Sequence, residues 1–214
     1  MKIYICNAPS LTNRRLFMTE QLRQNRLSAE LIMSEEEDLF PINQLKSAWY
    51  DKMHKAGYGR FDYRELRKTE KSVAVKHFVA ASNLARYPND ERAIVLEDDV
   101  KMSEEFTKLI DGDDNLPYKY DMIFFGQATC ISQYSLEDDG FLPVFPGTPA
   151  SRTTDCYMMN RKAARCIVAS LYTDGLTLPI DFELSYIINK YELRVAHLSK
   201  PLIVSNQFPS ANQS

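Results

Sequence analysis

The segment Arg92-Ala93-Ile94-Val95-Leu96-Glu97-Asp98-Asp99-Val100 sets an apolar run directly against three consecutive carboxylates. The run reads as a fully buried strand of a parallel sheet, and acids at the carboxyl end of such a strand lie where open α/β sheets bind ligands. Carboxylates grouped there can share a hard divalent cation, whose shell is completed by phosphate oxygens and water. A solvated acidic turn is the competing reading.

Other residues carry weaker chemical signals. Arg14 and Arg15 follow the first strand and could clamp a pyrophosphate bidentately, or could be an exposed pair at a helix start. His77 lies on a long predicted helix, one turn beyond Val73, where a packed histidine satisfied by a neighbour competes with a role in orienting a ligand or the acidic group. Trp49, Tyr50, Tyr58 and Tyr63 could stack on a sugar ring, although aromatics at this density usually mark packing. The run Glu35-Glu36-Glu37-Asp38 reads as a solvated loop.

These residues need elements to hold them, and the pattern alternates strand and helix. Strands are expected at about 2–6, 29–33, 92–100, 121–126, 156–159 and 193–198. Helices are expected at about 14–25, 41–55, 70–86 and 160–171, with further ones opened by Ser103, ahead of Glu104 and Glu105, and by Pro179. This alternation predicts parallel βαβ units. Residues 127–154 are rich in Pro, Gly and Ser and too long for a passive connection, so they are expected to cover a site.

Composition narrows the function classes. A chain of 214 residues with 44% hydrophobic and 26% charged residues can bury one sizeable core, so residues 1–214 are expected to form a single domain. A net charge of -3 argues against duplex nucleic acid as a partner but leaves a single nucleotide open. Apolar windows are too short for a membrane span, and the first residues do not read as a signal peptide, which points to a cytoplasmic protein, with peripheral membrane contact left open. Cys6, Cys130, Cys156 and Cys166 have neither metal-ligand spacing nor disulfide density and read as reduced thiols.

Three blocks taken in order resemble glycosyltransferase family 25, the group of lipooligosaccharide and collagen galactosyltransferase domains. Glu70-Lys71-Ser72-Val73-Ala74-Val75-Lys76-His77 matches an E-x-G-C-x-x-S-H pattern at Glu70 and His77 only. Leu96-Glu97-Asp98-Asp99-Val100 matches the acidic motif closely. The stretch from Thr153 to Ala164 is similar to G-x-x-x-Y-x-x-S-x-x-A-A, and Pro179-Ile180-Asp181 follows as a P-x-D element.

The resemblance implies a GT-A fold, a Rossmann-like mixed and mostly parallel sheet flanked by helices. Residues up to about 126 would hold the nucleotide sugar and those from about 127 the acceptor. It also implies an inverting, metal-dependent transfer of a hexose, galactose or glucose favoured, from a UDP-sugar to a hydroxyl of a glycan, lipid-linked saccharide or glycoprotein. Manganese is favoured over magnesium. Asp99 is the first choice as metal ligand, with Glu97 beside it because alternate strand side chains share a face, and His197 is the candidate third ligand. Asp98 would face elsewhere or hold ribose hydroxyls, with Arg14, Glu70 and His77 also on the donor side. Asp181 is the favoured base, with Asp155 close behind. A sugar nucleotidyltransferase or metal phosphohydrolase is the alternative enzyme, although Asn7-Ala8-Pro9-Ser10 offers no glycine-rich phosphate loop. An inactive nucleotide-sugar-binding module is the alternative from another class.

Overall fold

Residues 2–6 and 92–97, the two apolar runs that flank the acidic motif's sheet edge, lie side by side in the computed structural model, which describes residues 1–34, 40–59, 61–87, 91–111, 116–126, 140–151, 153–205 and 208. The elements in chain order are β1 Lys2–Cys6, α1 Thr12–Gln24, β2 Glu30–Ile32, α2 Lys46–Lys55, α3 Lys68–Arg86, β3 Arg92–Glu97, β4 Lys101–Met102, α4 Glu104–Ile110, β5 Met122–Phe124, β6 Phe141–Pro143, β7 Cys156–Asn160, α5 Arg161–Asp174, α6 Ile180–Lys190, β8 Val195–Leu198 and β9 Ile203–Val204.

The main sheet has seven strands in the order β2-β1-β3-β7-β5-β8-β6. β1 pairs parallel with β2 and β3, and β5 pairs parallel with β8. β7 runs antiparallel to both β3 and β5, and β6 antiparallel to β8. The sheet is therefore mostly parallel in strand direction, as expected, but β3 is parallel on one side only. Period-two alternation still sends its side chains to opposite faces: Ala93 and Val95 pack towards α3 and α5, Ile94 and Leu96 towards α1 and α4. Burial of both faces makes the strand an unbroken apolar run until it emerges at Glu97.

Local signals set most helix ends. The Ser103 hydroxyl accepts the Phe106 N–H and the Asn160 side chain accepts that of Ala163, so both expected caps form. The helix expected from 41 starts instead at Lys46, because the preceding backbone is used elsewhere. Leu176 donates to the Pro41 carbonyl, and Asn43 donates to that of Leu176. The cover expected at 127–154 falls only partly among the described residues. Its first part, 127–139, lies outside the described residues, whereas 141–143 form an edge strand and Ala150, Ser151 and Thr154 are buried in a pinned wall. The expected acidic loop at 35–38 likewise lies outside the described residues. Among the described residues Cys6, Cys156 and Cys166 are free thiols, and no helix is long and apolar enough to cross a membrane.

Candidate active site

The carboxyl ends of β1, β3 and β5 meet the amino end of β7 at one edge of the sheet. Glu97 N–H donates to the Asp155 carbonyl at 2.9 Å, which sets Glu97, the last residue of β3, beside Asp155, the residue that leads into β7. A cleft of about 390 Å³ opens there, with Glu97, Asp99 and Asp155 on the sheet side, Glu70 and Val73 from α3, and Asp181 at the start of α6. Arg64 and Ser205 complete its rim. A cleft of about 400 Å³ lies at the opposite end of β5 and β8, among Tyr120, Phe145 and Leu193. Its walls are mainly apolar, and Glu192 is its one carboxylate among the described residues, so the chemistry belongs to the acidic cleft.

The acidic loop is held from both sides. The Gln21 amide of α1 donates to the Val100 carbonyl and its oxygen accepts the Met102 N–H, while β9 pairs with β4 just beyond. Asp98 turns away from the cleft. Its carboxylate accepts from the Asn7 amide at 2.7 Å and from Arg14 at 2.8 Å, and Arg14 reaches Asp99 at 3.3 Å. The Phe208 ring lies 5.7 Å from the Arg14 guanidinium and edge-on to Phe17. Arg15 bonds locally to Asn7, Pro9 and Thr12, so the arginine pair divides into one inward and one local residue.

Glu97 sits between the cleft and a buried polar pair. Thr154 donates its hydroxyl to Glu97 Oε1 at 2.7 Å. His77 Nε2 lies 3.7 Å from the same oxygen, and His77 Nδ1 is 3.0 Å from the Tyr157 hydroxyl. Burial opposes the charge of Glu97, but His77, Thr154 and Arg14 together hold its carboxyl below the usual range. The other acids go the opposite way. Asp99 is pushed up to about 6 by burial and then by the charge of Glu97, and Asp155 to about 6 by the same two causes. Asp181 is also pushed up to about 6, chiefly by burial, with backbone N–H groups at the start of α6 opposing the shift.

Asp155 is the most confined of these groups. Its Oδ1 accepts the Cys156 N–H at 3.0 Å, while Oδ2 has no hydrogen-bond partner among the described residues. A Cβ at residue 126 would stand 2.1 Å from Oδ1, so only glycine permits this approach. Glu70 is bound on two sides: Arg64 donates to its oxygens at 2.7 and 2.6 Å, and the Arg67 N–H caps the start of α3 onto it.

The structure thus brings Glu70, Glu97, Asp99, Asp155 and Asp181 together, with Asp98, Arg14 and His77 packed behind them. His197 is not among them. It lies in β8, separated from β3 by β5 and β7, fully buried, stacked on Phe124, with Nε2 2.6 Å from the Ala150 carbonyl oxygen. Burial pushes its pKa down to about 4. Among the described residues no group of three or more His, Cys, Asp or Glu is arranged to hold a metal alone. Arg64, Thr154 and Phe182 line the cleft although the sequence reading did not single them out as site residues. Thr154 and Phe182 adjoin chosen aspartates, whereas no spacing rule links loop residue Arg64 to Glu70 on the helix that follows.

The family model described as Glycosyltransferase family 25 (LPS biosynthesis protein) matches residues 1–183. No curated protein matches the chain. Among solved structures, a glycosyltransferase involved in glycosylation of the major capsid of PBCV-1 is similar at 10% identity and TM-score 0.49, covering 99% of this chain and 95% of that one. The inositol-1-phosphate CTP transferase from T. maritima aligns at 13% identity and TM-score 0.48, covering 100% and 93%. The galactosyltransferase LgtC, in complex with donor and acceptor sugar analogs, aligns at 10% identity and TM-score 0.46, covering 92% and 73%.

Proposed function

The chain belongs to glycosyltransferase family 25, and from that membership we propose that it moves a hexose, galactose or glucose favoured, from a UDP-sugar to a hydroxyl of a glycan, lipid-linked saccharide or glycoprotein, with inversion. The observation that carries this reading is the meeting of Glu97, Asp99, Asp155 and Asp181 at one cleft, three of them with pKa values raised by burial. Residues up to about 126 would carry most of the donor contacts, with the acceptor shared between later residues and the edge of the cleft opposite the acidic strand end. A cytoplasmic location with access to a membrane surface belongs to the same proposal.

The residues fit a divalent metal held together with the donor. Glu97 and Asp99 present only oxygen ligands, and the Asp99 pKa is raised by burial and then by the charge of Glu97, so a cation is favoured there and a hard or borderline one such as manganese or magnesium suits it. Two carboxylates are enough when phosphate oxygens supply other ligands. Bound there, the metal would neutralise negative charge developing on the leaving diphosphate. Arg14, tied to both Asp98 and Asp99, fixes the acidic loop. Asp181 takes the proton from the attacking acceptor hydroxyl, a role its pKa of about 6 serves because the group is mostly ionised at neutral pH yet basic enough to accept. Asp155, with an oxygen unpartnered among the described residues, is the competing base.

Substitution separates these roles. Asp99→Asn keeps the size and removes the charge, so binding of UDP in the presence of manganese weakens together with turnover. Asp181→Asn retains that binding while transfer falls by roughly two to four orders of magnitude, the range for loss of a general base. Calorimetric titration beside steady-state kinetics checks both. Near-normal turnover in Asp181→Asn with collapse in Asp155→Asn would move the base to Asp155.

A further inference from the structure

We propose that Phe61, Phe182 and the Arg64–Glu70 ion pair form an acceptor subsite for a neutral pyranose, whose apolar face lies on the rings and whose adjacent hydroxyls meet the ion pair. The inference rests on the glycosyl-transfer reading, gives the acceptor a location within the same cleft, and moves Glu70, expected on the donor side, to the acceptor.

Phe182 and Asp181 both line the cleft, so a sugar on the Phe182 ring lies in the same cleft as the proposed base. Phe61 is 40% exposed, and its ring lies 5.8 Å from that of Phe182 at an interplanar angle of 42°. Tyr58 braces both rings, at 4.4 Å from Phe182 and 6.3 Å from Phe61, and donates its hydroxyl to the Ser151 carbonyl. Close packing of Gly57 against the backbone of 147–149, at a positive φ of 79°, fixes the approach of this loop. The platform is therefore preformed, which limits the ordering cost of binding. An aromatic surface with a few placed polar groups is the usual composition of a small-ligand site.

The ion pair supplies the polar part. Glu70 engages two of the five guanidinium N–H donors of Arg64, leaving others able to donate to a hydroxyl oxygen, while the Glu70 carboxylate can accept from a neighbouring hydroxyl. A hydroxyl both gives and accepts, so a diol complements this pair. The charge balance selects a neutral sugar. The charges of a divalent metal and the donor diphosphate would offset one another, and Glu70, Glu97, Asp99, Asp155 and Asp181 against Arg64 then leave an excess of negative charge that repels an acidic acceptor.

Saturation-transfer NMR with methyl β-galactopyranoside and methyl β-glucopyranoside, on wild type, Phe61→Ala and Phe61→Tyr, tests the subsite. Expected is transfer to ring protons of at least one glycoside in wild type, a loss of affinity of about tenfold or more in Phe61→Ala, and recovery in Phe61→Tyr, the size typical of removing an aromatic anchor. Phe61 is exposed, so an unchanged melting temperature accompanies the loss. Equal transfer in wild type and Phe61→Ala, or transfer to neither glycoside in any variant, overturns the subsite. A parallel UDP–manganese titration judges the donor reading alone: failure of UDP to bind wild type sinks that reading, while the glycoside result still decides the subsite.

Discussion

At the scale of single residues, the site is a set of carboxylates that folding forces together against their preference to ionise. An acid whose folded pKa exceeds its unfolded value binds its proton more tightly in the folded state, so stability falls as pH rises from the unfolded value towards the folded one. For Asp99, Asp155 and Asp181 that window runs from the ordinary aspartate value of 3.8 to about 6. Glu97, lowered by its partners, acts the other way and stabilises above its unfolded pKa. Asp155 is 4% exposed, and burial and the charge of Glu97 raise its pKa to about 6 despite the polar groups around it, so ionising it in the fold carries a penalty. Asp155→Asn is accordingly expected to be more stable than wild type at pH 7, by about 1–3 kcal/mol, and to gain little at pH 4. Thermal unfolding at the two pH values checks this, and a gain equal at both would contradict the electrostatic account.

At the scale of elements, what the sequence made legible was what has a period or a cap. β1, β3, α3 and α5 show as apolar runs or long helical stripes, and Ser103 and Asn160 announce the helices they cap. The acidic cluster was readable because a buried strand must end where its carboxylates begin. β4, β6 and β9 were not readable, since two or three residues carry no period; the equally short β2 and β5 were found only because the longer, mainly apolar stretches 29–33 and 121–126 surround them. His197 was misplaced for a related reason. Local sequence puts it near the chain's last strand, but only the sheet order reveals two strands between it and β3. The end of α6 is another feature set by tertiary geometry. Glu192 has a positive φ of 50°, and Leu193 N–H donates to the Ile188 carbonyl, a helix-ending arrangement that usually employs glycine. Glu192→Gly should raise stability by about 0.5–1 kcal/mol, because relief of the left-handed conformation exceeds the added chain entropy. Denaturant unfolding measures it, and a loss of stability would show that the Glu192 side chain compensates for its backbone.

At the scale of the whole molecule, β7, the strand that Asp155 leads into, lies between strands that precede it in the chain. β7 pairs with β3 on one side and β5 on the other, so the sheet cannot be divided into a donor half and an acceptor half without breaking central ladders. Calorimetric unfolding is expected as a single cooperative transition, and two separated transitions would contradict this coupling. The same interleaving places Glu97, Asp155 and Asp181 around one cleft, which is where the account has to be tested as chemistry. The most direct measurement is release of UDP from UDP-galactose or UDP-glucose with manganese and a glycan acceptor, repeated in excess chelator and again after manganese is restored. The account predicts release coupled one to one to acceptor glycosylation, abolished by chelator without unfolding and recovered on restoring the metal. Full transfer in chelator, or release of pyrophosphate from a nucleoside triphosphate and a sugar phosphate in place of transfer, would contradict it.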